Sequence, residues 1–84
     1  MTPYKNLGGN SGVVSYELAA DSISVMFGDG WVYRYAYASA GARNIEHMKT
    51  LAQAGRGLNA FINTTVKKAY ASKVRRYEHL RRTA

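Results

Sequence analysis

The sequence predicts an α+β domain in which a three-stranded antiparallel meander is covered on one face by two C-terminal helices. Residues 13–37 contain three runs that alternate apolar and polar side chains, which is typical of half-buried strands. Short polar or glycine-rich breaks separate the runs, as tight turns require. From residue 42 onwards the apolar side chains recur at the spacing of an amphipathic helix.

The composition limits the class of protein. A chain of 84 residues with 46% hydrophobic residues suits one small globular domain and is too apolar for a disordered chain. The absence of cysteine excludes a disulfide framework and a thiolate metal site. No apolar run reaches the roughly 20 residues of a membrane span, and no signal-peptide pattern occurs. We therefore expect a cytoplasmic protein without a membrane span.

The first strand is expected to follow a flexible N-terminal lead-in over residues 1–12, which is rich in glycine. Val13 to Leu18 then reads as a strand, with Val14, Tyr16 and Leu18 on the inward face. A short turn over residues 19–21 leads to the next strand and is expected to place Tyr16 opposite Ile23.

A β-hairpin over Ile23 to Tyr37 is the strongest local signal. Gly28-Asp29-Gly30 supplies a tight turn between two runs of strand-forming residues. This turn places Val25 opposite Tyr33 and Ile23 opposite Tyr35, so these side chains share one face.

Two helices are predicted to cover that face. In the segment 42–54, Ile45, Met48 and Leu51 lie on one stripe, and Gly55 ends the helix. A second helix begins after Gly57 and has an apolar stripe that includes Leu58, Ile62 and Val66. The spacing permits this helix to continue through residues 75–84, and a basic tail there is an equally good interpretation.

The aromatic residues of the hairpin divide into two groups. Strand parity assigns Trp31 and Tyr33 to the core beneath the helices. Tyr35 and Tyr37 approach the end of the strand, where their hydroxyl groups are expected to reach solvent or a ligand. Arg34 projects from the opposite face, where it either contacts phosphate or is merely solvated.

The positive charge belongs to the C-terminal half. Residues 1–40 carry a net charge of −1 and residues 41–84 carry +8, for a total of +7. Such segregation favours a polyanionic partner, and basic residues interleaved with aromatic rings suit single-stranded nucleic acid. A solvated helix face is the alternative. The candidate contact residues are Arg34, Tyr35, Tyr37, Arg56, Lys67, Lys68, Tyr70, Lys73, Arg75 and Arg76.

Arg56 has a separate reason to be in that set. It lies between two glycines at the predicted start of the second helix, where free amide groups and the helix dipole favour an anion. The alternative is a simple turn between helices with an exposed arginine.

Catalysis finds little support in the sequence. His47 and His79 are the only histidines, and Asp21 and Asp29 suit turns. With no clustered histidines or paired carboxylates, we expect no enzyme activity, no metal, no cofactor and no small-molecule substrate.

The segment from Ser11 to Val74 resembles the KTSC domain, a short module found at the C-terminus of some lysyl-tRNA synthetases and as small stand-alone bacterial proteins. The likeness rests on residues 15–17, on residues 23–27 and above all on Tyr33-Arg34-Tyr35, which matches the family's central Tyr-x-Tyr. Gly55 to Ile62 is similar to the family's second signature.

The resemblance implies a KTSC-like domain over residues 13–74 and an association with RNA, which has been suggested for the family from its attachment to a tRNA synthetase. The family has no established biochemical activity. This chain departs from the pattern at Leu58, where the family tends to have an aromatic residue, and in its more basic ending after Val74.

Together these observations predict a non-catalytic domain that binds RNA or single-stranded nucleic acid through a basic C-terminal helix. Two other interpretations remain open. One is a module that binds a partner protein or a second copy of itself through an exposed sheet edge. The other is a basic protein that prefers double-stranded DNA.

Overall fold

In the part of the chain that the structure describes, five antiparallel strands form one sheet and follow one another across it in chain order. The computed structural model describes residues 1–9 and 12–75. The strands are β1 (Thr2–Pro3), β2 (Val13–Ala19), β3 (Ser22–Phe27), β4 (Trp31–Ala36) and β5 (Ser72–Arg75). The helices are α1 (Tyr37–Ala40), α2 (Ala42–Ala54) and α3 (Leu58–Phe61), and a π-helical turn (Ile62–Val66) continues α3.

The central hairpin has the predicted register. Val25 pairs with Tyr33 and Ile23 pairs with Tyr35. In the turn, Gly30 adopts a φ of 90°, a conformation that L side chains rarely adopt, and its amide donates to the Phe27 carbonyl at 3.0 Å. The Asp29 carboxylate accepts the Trp31 amide at 3.1 Å. The glycines and the aspartate therefore close the hairpin as the sequence predicts.

The pairing of β2 with β3 differs from the prediction by two residues. Tyr16 lies opposite Val25 rather than Ile23, and Leu18 lies opposite Ile23. A shift of two residues preserves the inward face, so Tyr16 is still buried. The register also shifts between Val13 and Ser15. This irregularity turns Val13 inward at 3% exposure and leaves Val14 45% exposed, so the inward placement of Val14 was wrong.

The core lies between one face of the sheet and the helices. Ile45 and Met48 of α2 are fully buried, as the predicted stripe requires, and Leu51 packs partly buried against the core. Leu58, Ile62 and Val66 extend the core along α3 and the π-helical turn. The core residues are Tyr4, Val13, Tyr16, Ile23, Val25, Tyr35, Ile45, Met48, Ala52, Leu58, Ile62 and Val66.

Residues 2–7 belong to the fold, which corrects the expected flexible lead-in over residues 1–12 for this part of it. Thr2 and Pro3 pair with Tyr16 and Ser15. Tyr4 is 7% exposed, and its amide donates to the Val14 carbonyl at 2.9 Å. The glycine-rich composition suggested a mobile segment. Tyr4, which precedes these glycines in the chain, is nevertheless part of the core.

This segment also contacts the junction between α2 and α3. The Leu7 amide donates to the Gly55 carbonyl at 2.7 Å, and the Leu58 amide donates to the Tyr4 hydroxyl at 3.4 Å. Gly55 has a φ of 79°, and a Cβ added there would lie 2.6 Å from the Lys5 Cβ. Glycine is therefore required at residue 55 both by backbone conformation and by the close approach of the N-terminal segment.

The C-terminal part of the described chain is a strand. Ser72–Arg75 forms β5 along the edge of β4, and the Ala71 amide donates to the Arg34 carbonyl at 2.6 Å. The helix predicted to run past Tyr70 is therefore wrong at residues 72–75. Residues 76–84 lie outside the described residues, and the prediction for Arg76 falls there.

The predicted class is confirmed in its coarser form, an α+β domain with an antiparallel sheet. The finer statement of three strands followed by two helices matches only in part, because β1 and β5 extend the meander on both sides. No helix within residues 1–9 and 12–75 has the length and apolar character needed to cross a membrane.

Replacing Tyr4 tests whether the N-terminal segment stabilises the domain. Tyr4→Ala removes a buried ring, and we expect it to lower the free energy of unfolding in urea by about 3 kcal/mol. Leu7→Ala is the matched control, since Leu7 is 57% exposed. The control is expected to change stability by less than about 0.5 kcal/mol. Equal stabilities for the Tyr4 and Leu7 variants would contradict a structural role for Tyr4.

Candidate nucleic-acid interface

Strand β5 places two basic side chains against the aromatic residues of β4. Lys73 pairs with Tyr33, and Arg75 pairs with Trp31. Directly paired residues project from the same face of a sheet, so both cations lie beside aromatic rings. The Lys73 ammonium lies 5.2 Å from the centre of the Trp31 ring, and the Arg75 guanidinium lies 4.9 Å from it. These distances are within the range of cation–π attraction.

Lys73 contacts two further rings. Its ammonium lies 5.9 Å from the centre of the Tyr33 ring and 5.7 Å from that of the Tyr70 ring. Tyr70 in turn meets Tyr33 edge to face, with the ring centres 5.1 Å apart. Tyr70 precedes β5, and its contact with Tyr33 joins this segment to the sheet. The structure therefore brings Tyr70, Lys73 and Arg75 together, as the interleaving of basic and aromatic residues suggested.

A groove of about 610 Å³ opens beside these rings. One wall is aromatic and consists of Phe27, Tyr33, Tyr35 and Tyr70. The other wall consists of residues at the end of the helical segment: Ile62, Asn63, Lys67 and Lys68. Gly12, Gly28 and Asp29 line the end of the groove beside the hairpin turn.

The groove lies at the hairpin end because the helices cover the other end of β4. Helix α1 begins directly after Ala36, and its Tyr37 amide donates to the Asp21 carbonyl at 2.9 Å, beside the turn between β2 and β3. Exposure along β4 follows this arrangement, since Tyr35 is buried and Trp31 and Tyr33 are half-buried. Trp31 and Tyr33, predicted to be core residues, are thus only partly covered.

Lys67 and Lys68 are exposed and follow directly after the π-helical turn. Cationic side chains are favoured at the C-terminal end of a helix because the carbonyl groups there carry partial negative charge. Among the residues that the structure describes, Asp29 is the only acidic one lining the groove. With Lys73 and Arg75 nearby, positive charge predominates around the groove.

Tyr35 does not have the accessible position predicted for it. It is 1% exposed, so its ring cannot present a face to a nucleobase. Burial and the neighbouring Tyr33 and Tyr70 hydroxyl groups raise the pKa of Tyr35 from 10.0 to about 12. The prediction placed Tyr35 near an open strand end, but α1 and α2 cover that end.

Tyr37 is exposed, as predicted, but lies in α1 at the far end of β4. Its hydroxyl donates to Glu46 Oε2 at 2.5 Å, and this carboxylate also pairs with Lys49 at 3.0 Å. The shared hydrogen bond raises the pKa of Tyr37 and lowers the pKa of Glu46. Tyr37 therefore takes part in a contact between α1 and α2 and does not line the groove.

Arg34 is also separate from the groove. It is exposed and lies opposite Ser24 on β3 and Ser72 on β5. Alternation along β4 places it on the face opposite Tyr33 and Tyr35. Arg34 and the cluster around Lys73 therefore do not form one contact surface.

Arg56 lies in the turn between α2 and α3, where Gly55 and Gly57 have φ values of 79° and 81°. The amide of Leu58, the first residue of α3, donates to the Tyr4 hydroxyl, so this amide already has a protein partner. Nine helical residues separate Arg56 from Lys67, a rise of about 13 Å. The structure does not bring Arg56 to the groove.

Several lining residues were not predicted. They include Phe27, Asn63 and Asp29, the last of which was predicted only as a turn residue. Their proximity depends on how the helical segment crosses the hairpin, which no local pattern specifies. The alternation of Lys73 and Arg75 with Ser72 and Val74 was a strand signal that could have located the edge beside Trp31.

Within residues 1–9 and 12–75, no three histidine, cysteine, aspartate or glutamate side chains come together as a metal site would require. Comparison of the chain with protein-family models, with curated proteins and with solved structures finds no match.

The raised pKa of Tyr35 predicts a pH dependence of stability. Folding favours the neutral phenol, so this contribution is complete below the unfolded pKa of about 10 and is lost as the pH rises towards the folded pKa. We expect the native protein to lose more unfolding free energy than Tyr35→Phe between pH 10.0 and about 12. Urea unfolding followed by circular dichroism measures the difference. Parallel losses in both proteins would contradict it.

Proposed function

We propose that this chain binds RNA or other single-stranded nucleic acid without strong sequence preference. The contact surface, here called the basic–aromatic surface, consists of Trp31, Tyr33, Lys67, Lys68, Tyr70, Lys73 and Arg75. The single observation that carries the proposal is the position of Lys73 and Arg75 over aromatic rings at the sheet edge. Phosphate groups and nucleobases require these two kinds of side chain.

Each part of the basic–aromatic surface has a distinct role. The four basic side chains neutralise phosphates, which contributes most of the affinity and depends on salt. Half-buried Trp31, Tyr33 and Tyr70 offer ring surfaces on which unpaired bases stack. Bases in a duplex already stack on one another, so the aromatic residues favour a single strand over double-stranded DNA. Arg34, Tyr37 and Arg56 have no part in this surface.

The resemblance to the KTSC domain supports the same proposal from a different direction. Tyr33 belongs to the tripeptide that carries the resemblance, and it lies at the centre of the aromatic contacts. We infer that the chain is a KTSC-like domain of the cytoplasm that acts by binding rather than by catalysis.

A protein-interaction module is the second candidate. Val14 and Leu18 are 45% and 39% exposed, and within residues 1–9 and 12–75 β1 pairs with Ser15 and Tyr16 of β2 on one side only. A sheet edge and exposed aliphatic side chains of this kind suit a partner protein or a second copy of the chain. Sedimentation of the pure protein and a pull-down after nuclease treatment distinguish this candidate, because its partners would survive nuclease.

The salt dependence of binding tests the proposed surface. A fluorescently labelled single-stranded RNA is titrated with protein between about 50 mM and 200 mM salt, and anisotropy gives the dissociation constant. We expect affinity to fall with salt, and we expect Lys73→Gln to reduce the slope of log K against log salt by about 0.7. The double variant with Arg75→Gln is expected to reduce the slope by about 1.4.

Arg43→Gln is the matched control, since Arg43 is an exposed residue of α2 and does not line the groove. It removes the same charge and is expected to leave the slope unchanged. Absence of binding at low salt, or equal slopes for the Lys73 and Arg43 variants, would refute the proposed surface. Tighter binding to a duplex of the same length would favour double-stranded DNA instead.

A further inference from the structure

We propose that the groove beside the basic–aromatic surface binds one unpaired nucleotide, with its base between Tyr33 and the helical wall and its phosphate at Lys67 and Lys68. This inference rests on the proposed function and names the unit that the protein recognises. It also predicts that affinity depends on the bases of the strand and not only on its phosphates.

The size and walls of the groove suit a nucleotide. Its volume of about 610 Å³ lies within the range of small-ligand sites. Phe27 and Tyr70 both meet Tyr33 edge to face, at interplanar angles of 89° and 80°. The aromatic wall is therefore a set of rings held by mutual contacts. A planar base can stack on such rings without being identified by sequence.

Polar groups in the groove suit the edge of a base. The Asn63 side chain is exposed and carries both a hydrogen-bond donor and an acceptor. The Asp29 carboxylate accepts the Trp31 amide through Oδ1, and a carboxylate has the capacity to accept further donors, including the amino group of a base. Nucleobases present donors and acceptors side by side along their edges.

Basic residues border the groove on two sides. Lys67 and Lys68 lie on the helical wall, and Lys73 contacts Tyr33 and Tyr70 of the aromatic wall. A base that enters the groove therefore leaves the phosphates before and after it near cations. This arrangement distinguishes the groove from an apolar cleft that happens to lie near a charged strand.

Two glycines provide a way to close the groove without removing a charge. A Cβ added at Gly12 would lie 3.8 Å from Phe27 Cδ1, which is an ordinary contact, and Gly12 does not have a positive φ. Gly12→Leu therefore places an aliphatic group against a lining ring. Gly8 has no atom within 4 Å of an added Cβ, so Gly8→Leu is the matched control.

The experiment compares an oligouridylate with a strand of equal length that lacks bases but keeps every phosphate. We expect the native protein and Gly8→Leu to bind the oligouridylate about tenfold more tightly than the base-free strand. Gly12→Leu is expected to lower this ratio by about threefold or more, since Trp31 outside the groove still offers a ring, while the affinity for the base-free strand stays unchanged. Asn63→Ala is expected to lower the ratio by about two- to fivefold.

Uridine 5′-monophosphate and ribose 5-phosphate, titrated separately by NMR, show whether the groove takes a free nucleotide or only one within a strand. Shifts of the Tyr33 and Asn63 signals with uridine 5′-monophosphate but not with ribose 5-phosphate indicate that the groove binds a free nucleotide. Shifts with neither compound indicate that the groove binds a nucleotide only within a strand. Circular dichroism shows whether the Gly12→Leu variant folds. If it does not fold, the Asn63→Ala variant still tests whether the groove contributes to the preference for the oligouridylate.

Equal affinities of the native protein for the two strands would overturn this inference and the stacking role of the aromatic residues, whereas phosphate binding by the four basic side chains would stand. A preference for the oligouridylate that stays undiminished in both groove variants would also overturn it, because the bases would then stack elsewhere. Failure to bind either strand at low salt would overturn the proposed function itself.

Discussion

The pairing of β4 with strands on both sides is the constraint on which the candidate interface depends. Tyr33 lies between Val25 of β3 and Lys73 of β5, so one aromatic residue joins the hairpin to the basic edge. Without β5, the edge of β4 would present unpaired backbone groups and no cation beside Trp31. The same hydrogen bonds that close the sheet therefore also fix where its positive charge lies.

The helices determine which part of the inner face remains accessible. They follow β4 directly and cover its Ala36 end, so Tyr35 becomes part of the core. The hairpin end extends beyond α1 and α2, and the π-helical turn and the residues after it approach it. A face that is uniformly apolar in sequence is thus divided into a buried half and a groove. The groove is lined by aromatic rings because its strand residues belong to the same apolar face of the sheet as the core residues.

The features that could be predicted from the sequence are those set by contacts between residues close together in the chain. The hairpin register was predicted correctly because Gly28-Asp29-Gly30 fixes it within a few residues. β5 was missed because the apolar spacing of residues 70–77 also suits a helix. The choice of a strand over a helix depends on pairing with the edge of β4, about 40 residues earlier in the chain. The excess of basic residues was evident from the sequence, whereas the contact of Lys73 with three rings was not. Tyr4 carried no local signal for burial.

The contact between Tyr4 and Leu58 has a consequence for the order in which this protein folds during synthesis. The two residues are separated by 54 positions, yet their hydrogen bond and the neighbouring Leu7–Gly55 bond attach the N-terminal segment to the core. At about 5–20 residues per second, translation needs roughly 3 to 11 seconds to pass from one partner to the other. The N-terminal segment therefore remains undocked until after the hairpin and α2 have been made, and Tyr4 is a late addition to the core.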